Sequence, residues 1–413
     1  MTAAAMPFKP YHNWSCRFWV IFGGQSLSLV GSALTQFVLL WWITDTHGSM
    51  RDLALAGVFA LLPQAILAPL GGALADRYSR RWLMIIADLI SALCMLVLIV
   101  LFAVQQVVLW HVYTMLALRS AMQAIQAPAA SASVSQLVPV HFLARAAGLS
   151  QMMQSLTVIA AAPLGASVLA YLPLQWALAI DVATAVIGIL PLLYWPIPQP
   201  VLAAQDYATP AKQIWHDLRD GVRTTWSQAG LRHLFGLIAL VVLIVMPSMT
   251  LLPLLVKQYF AGGAAQVAVM ESCAGIGMLL AAALVTLRPP RQHLLWLLSG
   301  LAASCASLAL TALTPCNWFE VATLCWSISG LTYVLGITQL TVILQHQIAP
   351  DMQGRVLALL QSMSAFAGPI GLLLAAPLGE LLGVRMLFIT VGCAGAAVCL
   401  AGFRSRPLMA LAQ

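Results

Sequence analysis

Charge is what this sequence has least of. Asp, Glu, Lys and Arg make up 8% of its 413 residues, where a soluble globular domain carries roughly 25%. A chain of this length cannot cover a water-facing surface with so few charges, which excludes an ordinary soluble fold. Strict alternation of apolar and polar residues is also missing, and with it the signature of a transmembrane β-barrel. The eight cysteines (positions 16, 94, 273, 305, 316, 325, 393 and 399) lie mostly inside apolar runs. They form no CxxC and no Cys/His cluster of metal-ligand spacing, so they read as small buried hydrophobes rather than disulfides or a metal site. No GxxxxGK[ST] phosphate loop is present, so ATP hydrolysis is not encoded. No paired nucleophile and base stands out, so the chain is not expected to be an enzyme or to need a cofactor. The opening MTAAAMPFKPYHNW is mixed in polarity and the first apolar run is too long for an h-region, so a cleavable signal peptide is not expected.

What the sequence has instead is apolar bulk: 62% hydrophobic residues and a mean hydropathy of +0.93. Lipid is the natural solvent for such a chain. In lipid every backbone N–H and C=O must be paired within its own segment, which dictates helices. A span needs about 20 mostly apolar residues. That window finds twelve, beginning near residues 17, 53, 83, 108, 148, 174, 232, 264, 294, 318, 356 and 384. One gap is long. It divides the chain into an N-terminal six-helix bundle (1–197), a linker (198–231) and a C-terminal six-helix bundle (232–413). In the linker, Ile214, Leu218, Val222 and Trp226 recur every four residues between charges, the pattern of an amphipathic surface helix.

Basic residues orient the spans. With both termini in the cytoplasm, fifteen of the nineteen fall inside, from Lys9 and Arg17 through Arg77, Arg80, Arg81 and Arg145 to Arg404 and Arg406. Only Arg51, Lys257 and Arg385 fall outside, while Arg119 lies within span four. This is the positive-inside bias. It explains the net charge of +7 without a nucleic-acid partner. Tryptophans near span ends, such as Trp82, Trp110, Trp176 and Trp318, suit interfacial anchors.

The two halves resemble each other. LVPVHFLARAAGLSQMM precedes span five and QIAPDMQGRVLALLQSM precedes span eleven. Each has an arginine (Arg145, Arg355), a glutamine six residues on (Gln151, Gln361) and a methionine two further (Met153, Met363). The string APLG recurs at 68–71, 162–165 and 376–379. Membrane transporters are commonly built from such repeats, with the substrate site between the halves.

One charged knot interrupts the apolar runs. Gly72-x-Leu74-x-Asp76-Arg77-x-x-Arg80-Arg81, between spans two and three, resembles the signature loop of the major facilitator superfamily, with Ser79 in place of the usual glycine. Together with length, twelve spans, internal termini and the long central loop, the resemblance covers essentially the whole chain. Within that superfamily the sequence looks most like the drug–proton antiporter branch that includes macrolide efflux pumps and siderophore exporters. The resemblance implies an all-α membrane fold of two pseudo-symmetric six-helix bundles around a cavity. Spans 1, 4, 7 and 10 line it; spans 2, 5, 8 and 11 join the halves. On that fold Asp76 faces the start of span eleven, where Gly354, Arg355 and a positive helix N-terminus await it. The expectation is a latch that forms when the inner gate closes, with Arg77, Arg81 and Asp88 positioning Asp76.

An ionisable group inside a span costs at least about 2.5 kcal/mol on insertion scales, so each one invites a role. Arg119 lies midway along span four, with Gln123 and Gln126 on the same face; the resemblance ties a span-four arginine to proton coupling. Asp181 and Glu271 each lie roughly 10 Å below the outer surface at 1.5 Å per residue. Asp181 also suits an ion pair with Arg119. Glu271 has no evident cation in its half, and a lone carboxylate in low dielectric takes up protons readily, so it leads as the coupling site. Gln25 and Gln36 in span one, Met246 and Met249 flanking Pro247 in span seven, and Trp326 and Tyr333 in span ten suit bulky amphiphilic ligands. The expectation is a monomeric exporter in the inner (plasma) membrane, moving an amphiphilic small molecule out against protons. A dedicated siderophore exporter is the alternative, a nutrient importer a more distant one.

Overall fold

The computed structural model describes residues 14–197, 219, 222–223 and 225–410. Among the described residues twelve long helices succeed one another: α1 (Trp14–Thr46), α2 (Met50–Arg77), α3 (Arg80–Ala103), α4 (Leu109–Leu137), α5 (Leu143–Tyr171), α6 (Leu174–Tyr194), α7 (Ala229–Gln258), α8 (Ala264–Leu287), α9 (His293–Leu313), α10 (Phe319–Gln347), α11 (Pro350–Leu382) and α12 (Val384–Gly402). A short helix, α13 (Arg406–Met409), follows. Among the described residues there is no β-strand. Residues 211–218 and most of the expected surface helix lie outside the described residues.

Eleven of these helices are long and apolar enough to cross a membrane, and α4 is not among them. The reason is its sequence: Arg119, Gln123, Gln126 and four serines are strung along it. A helix this polar persists at membrane depth only if its polar face is turned away from lipid, which is where the structure places it. The starts agree with the apolar windows except in α5 and α11. These two begin about a turn earlier, at Leu143 and Pro350, because their polar N-terminal turns continue the helix beyond the apolar run. Pro350 at the first turn gives up only an N–H that has no helical partner. Exposed Trp82, Trp110, Trp176, Trp296 and Trp318 stand at or beside helix starts.

The packing is repeated. In the first half α1 packs on α5 and α6, α4 on α2 and α3, and α3 on α6. In the second half α7 packs on α11 and α12, α10 on α8 and α9, and α9 on α12. Shifting every label by six converts one set into the other. The seam obeys the same rule, because α2 meets α11 and α5 meets α8. Two pseudo-equivalent six-helix lobes are the result. Small residues set the closest approaches, as in membrane bundles generally. In the α1–α6 contact a Cβ on Gly188 would lie 3.2 Å from both Gln25 Nε2 and Ser28 Cβ. The APLG glycines serve the same purpose: Gly71 lies against Ala124 of α4, Gly165 against Phe37 of α1, and Gly379 against Met50 of α2.

With an even number of spans, α1 begins and α12 ends on the same side, here called the proximal end; the other is distal. The lobes touch along the distal half of the seam. Met50 lies against Gly379, Gly57 against Leu372, and Leu61 against Gly368.

Candidate transport cavity and gates

The principal cavity has a volume of about 780 Å³. Every lining residue comes from α1–α6. It runs from Gln36, Gln64 and Leu116 at its deep end to Phe18, Leu137 and Leu143 beside the proximal helix ends. Its walls are mostly apolar, with polar groups gathered in two layers.

The deeper layer is an ion pair. Arg119 Nη2 lies 3.6 Å from Asp181 Oδ2, both side chains being largely buried. Arg119 Nη2 also donates to Ser32 O at 3.0 Å, and Ser32 Oγ donates to Asp181 Oδ1 at 3.0 Å. Asp181 sits seven residues into α6, about 10 Å along its axis. The pair ties α4 to α6 across α1.

The second layer lies seven residues nearer the proximal end of α1, about 10 Å away. Asp88 Oδ2 accepts from Gln25 Nε2 at 3.1 Å, and Asp88 Oδ1 accepts from Gln126 Nε2 at 2.6 Å. Gln25 Nε2 also donates to Gly188 O at 3.1 Å, and Gln126 Nε2 to Gln25 Oε1 at 3.1 Å. Asp88 is 6% exposed. This corrects the expectation that Asp88 belongs to the latch. Eight residues separate it from Arg80 at the helix start, about 12 Å of rise, and the helix turns it into the cavity. Gln36 and Gln123 also line the cavity.

The C-terminal candidates lie elsewhere. Trp326 is 2% exposed and packs against Phe388 of α12. Tyr333 packs on the apolar core. Met246 faces Gly368 of α11, and Met249, like Met246, is 38% exposed. None of the four lines this cavity. Their spacing does define faces of α7 and α10, but the direction of those faces is set by packing within the second lobe.

The charged knot divides its labour differently from expectation. Arg81 donates through Nε to Leu192 O and through Nη2 to Leu193 O at 2.7 Å. It therefore holds the C-terminal carbonyls of α6, where a cation is favoured, and does not position Asp76. Arg80 donates to Ala75 O at 3.2 Å and to Ala132 O at 2.9 Å. Its Nη2 lies 3.9 Å from Asp76 Oδ1, and the Asp76 side chain is 73% exposed. Arg77 closes α2 on the same end. Gly354 is exposed on α11, and Arg355 Nη1 reaches Met352 Sδ at 3.6 Å. Among the described residues the ion pair of Asp76 is with Arg80 and not with Arg355.

At the distal end they do meet. Lys257 Nζ, at the end of α7, donates to Thr44 O at 3.2 Å, Asp45 O at 2.6 Å and Asp45 Oδ1 at 3.0 Å, all at the end of α1. Beside it Gln258 Nε2 donates to Gly48 O at 2.8 Å. Arg385 caps α9 instead, donating to Ala312 O at 3.1 Å and lying 4.5 Å over the Tyr259 ring. Sequence reasoning missed this clasp, although Lys257 and Arg385 already stood out as cations on the wrong side.

Glu271 lies seven residues into α8, again about 10 Å from the distal end. It shares a face with Gly275 one turn on, and Gly275 packs on Ile159 of α5 across the seam. Among the described residues Glu271 has no hydrogen bond or ion pair.

A repeated twelve-helix bundle, with a buried ion pair in the wall of its cavity and its lobes clasped at one end, defines a class: multi-pass membrane transporters. The Major Facilitator Superfamily model matches residues 21–372. Macrolide efflux protein A of Streptococcus pyogenes is 31% identical over 385 residues, 93% of this chain and 94% of that protein. Macrolide efflux protein A of Enterococcus faecalis is 30% identical over 326 residues, 79% of this chain and all of that protein. A crystal structure of a POT family transporter in complex with 5-aminolevulinic acid superposes with a TM-score of 0.75 at 12% identity, covering 98% of this chain and 99% of that one; it shares the fold. The chain belongs to the Major Facilitator Superfamily. As a member it is a transporter of small-molecule substrates.

Proposed function

We propose that this protein is a secondary active exporter of amphiphilic small molecules, driven by proton entry. Residues 1–197 and 232–413 are the rocking lobes and 198–231 the tether; the protein acts as a monomer. The observation that carries the reading is a mostly apolar cavity of about 780 Å³ with buried carboxylates in its wall, in a molecule whose lobes are clasped at the distal end. The excess of basic residues on the proximal side makes that side cytoplasmic. The structure then corresponds to the state that loads from inside. The homologues named as macrolide efflux proteins support a bulky, largely apolar cargo.

In this reading Asp76 engages the α11 N-terminus at Gly354 and Arg355 when the proximal end closes. Glu271 carries the coupled proton at the seam, with Asp181 and Arg119 as the second locus. The test is purified protein in liposomes with an imposed pH gradient, assayed against macrolides, lipophilic dyes and siderophores. The expected result is gradient-dependent movement of a macrolide or dye accompanied by counterflow of protons. Transport of a siderophore alone would narrow the cargo to the alternative reading. Movement driven by sodium, or no proton flux with any substrate, would overturn the antiport.

A further inference from the structure

Most charges at the distal end near the seam are engaged. Lys257 pairs with Asp45. Arg385 donates to Ala312 O and lies over the Tyr259 ring. Tyr113 of α4 holds Asp52, donating through its hydroxyl to the Asp52 backbone oxygen at 3.0 Å. Two charges of opposite sign are left, one on each side of the seam. Arg51 is the second residue of α2, in the first lobe. Glu380 lies two residues before the end of α11, in the second. Both are exposed, and among the described residues neither forms an ion pair.

Arg51 and Glu380 line one groove. Its volume is about 310 Å³, and its walls are Ala54 and Leu55 of α2 with Leu372, Leu373, Ala376 and Pro377 of α11. Ala54 and Leu372 are buried and pack together at its base. Leu373 and Pro377 are exposed at its rim. Eight residues separate Glu380 from Leu372, about 12 Å of helix. The groove is therefore charged at the level of the helix ends, where headgroups lie, and apolar toward the membrane interior. A phospholipid has the same order of polarity along its length.

The two charges also discriminate among headgroups. A guanidinium binds phosphate oxygens through its fork of N–H donors. A carboxylate accepts hydrogen bonds from a primary ammonium, which carries three N–H donors. A quaternary ammonium has none to give. An anionic headgroup without a cation would bring its charge up against Glu380.

We propose that the groove between α2 and α11 is a binding site for a phospholipid with a primary-ammonium headgroup, its phosphate on Arg51 and its ammonium on Glu380. The headgroup then spans the seam with one contact on each lobe. The site goes beyond the exporter reading and depends on neither the cargo nor the driving ion.

The test is competition between lipids of identical acyl chains for the purified full-length protein in detergent, read by native mass spectrometry. Wild type should retain phosphatidylethanolamine over phosphatidylcholine and phosphatidylglycerol by about tenfold. Glu380→Gln should abolish the preference for ethanolamine over choline. Arg51→Gln should weaken retention of both. Glu320→Gln, an exposed carboxylate outside the groove, should change neither. Equal retention of the three lipids by wild type, tighter retention of phosphatidylglycerol, or an unchanged preference in both groove variants overturns the proposal. Should the variants not fold, wild type alone decides. A phosphatidylethanolamine with a photoreactive acyl chain should cross-link to the α2 and α11 segments around Leu55 and Leu373, and unlabelled phosphatidylethanolamine should compete better than phosphatidylcholine. Cross-links only elsewhere, or equal competition, overturn the proposal. Binding is read without cargo or gradient, so the lipid site can fail while proton-driven export holds, and the reverse.

Discussion

The clasp between Lys257 and the end of α1 is a charged contact between the lobes at the distal end, so its removal is a sharp test of two-state rocking. The perturbation is Lys257→Met, which keeps the stem length and deletes the charge. The ion pair with Asp45 is exposed, with side chains 32% and 60% accessible, and such pairs are worth about 0.2–1 kcal/mol. The bonds to the carbonyls of Thr44 and Asp45 add a cation at a helix C-terminus, worth about 0.3–1 kcal/mol. The sum is about 0.5–2 kcal/mol, a factor of roughly 2–30 in the equilibrium between distal-closed and distal-open states. Spin labels at His47 and Ala265, one on each lobe beside the clasp, read that equilibrium by pulsed electron paramagnetic resonance. We predict a new long-distance population in Lys257→Met. Asp45→Asn should give a smaller one, because the carbonyl bonds survive. Identical distance distributions in all three proteins would refute the assignment of Lys257 as a gate.

Three further predictions follow from the buried charges and the knot. Arg119→Met leaves Asp181 buried without its cation, at a cost of about 3–5 kcal/mol; the thermal midpoint in detergent should fall, and Arg119→Met/Asp181→Leu should recover most of it. Equal losses in the single and double variants would remove the pair from the lobe's stability. Asp76→Asn should insert and fold normally yet transport poorly in liposomes, since its carboxylate is 73% exposed here and matters only when the proximal end closes; full transport activity counts against the latch. Glu271→Gln should abolish uphill, proton-driven efflux while sparing substrate exchange without a gradient. Retention of uphill efflux by that variant would move the coupling proton to another carboxylate.

Much of this molecule is written in local sequence. Spans, helices and their order follow from hydrophobic length, because lipid leaves the backbone no partner outside its own helix. The repeat around Arg145 and Arg355 anticipated two equivalent lobes, and Arg119, Gln123 and Gln126 marked one polar face of span four. Arg119, Asp181, Gln25 and Gln126 were legible as intramembrane polar groups on defined faces. The partnerships were not. Asp88 lies 63 residues from Gln25 and 38 from Gln126, and only the stacking of α1, α3 and α4 brings the three together. Lys257 and Asp45 lie 212 residues apart, and only the closing of one lobe on the other joins them. Trp326 and Tyr333 have the spacing of a cavity face but are turned into the second lobe's own core. Helical period tells which residues share a face; which way that face looks is settled by what packs against it. For this protein hydrophobic length and charge bias determined the membrane, the helices and their count. The tertiary structure decided which carboxylate met a cation and which was left facing the cavity without one.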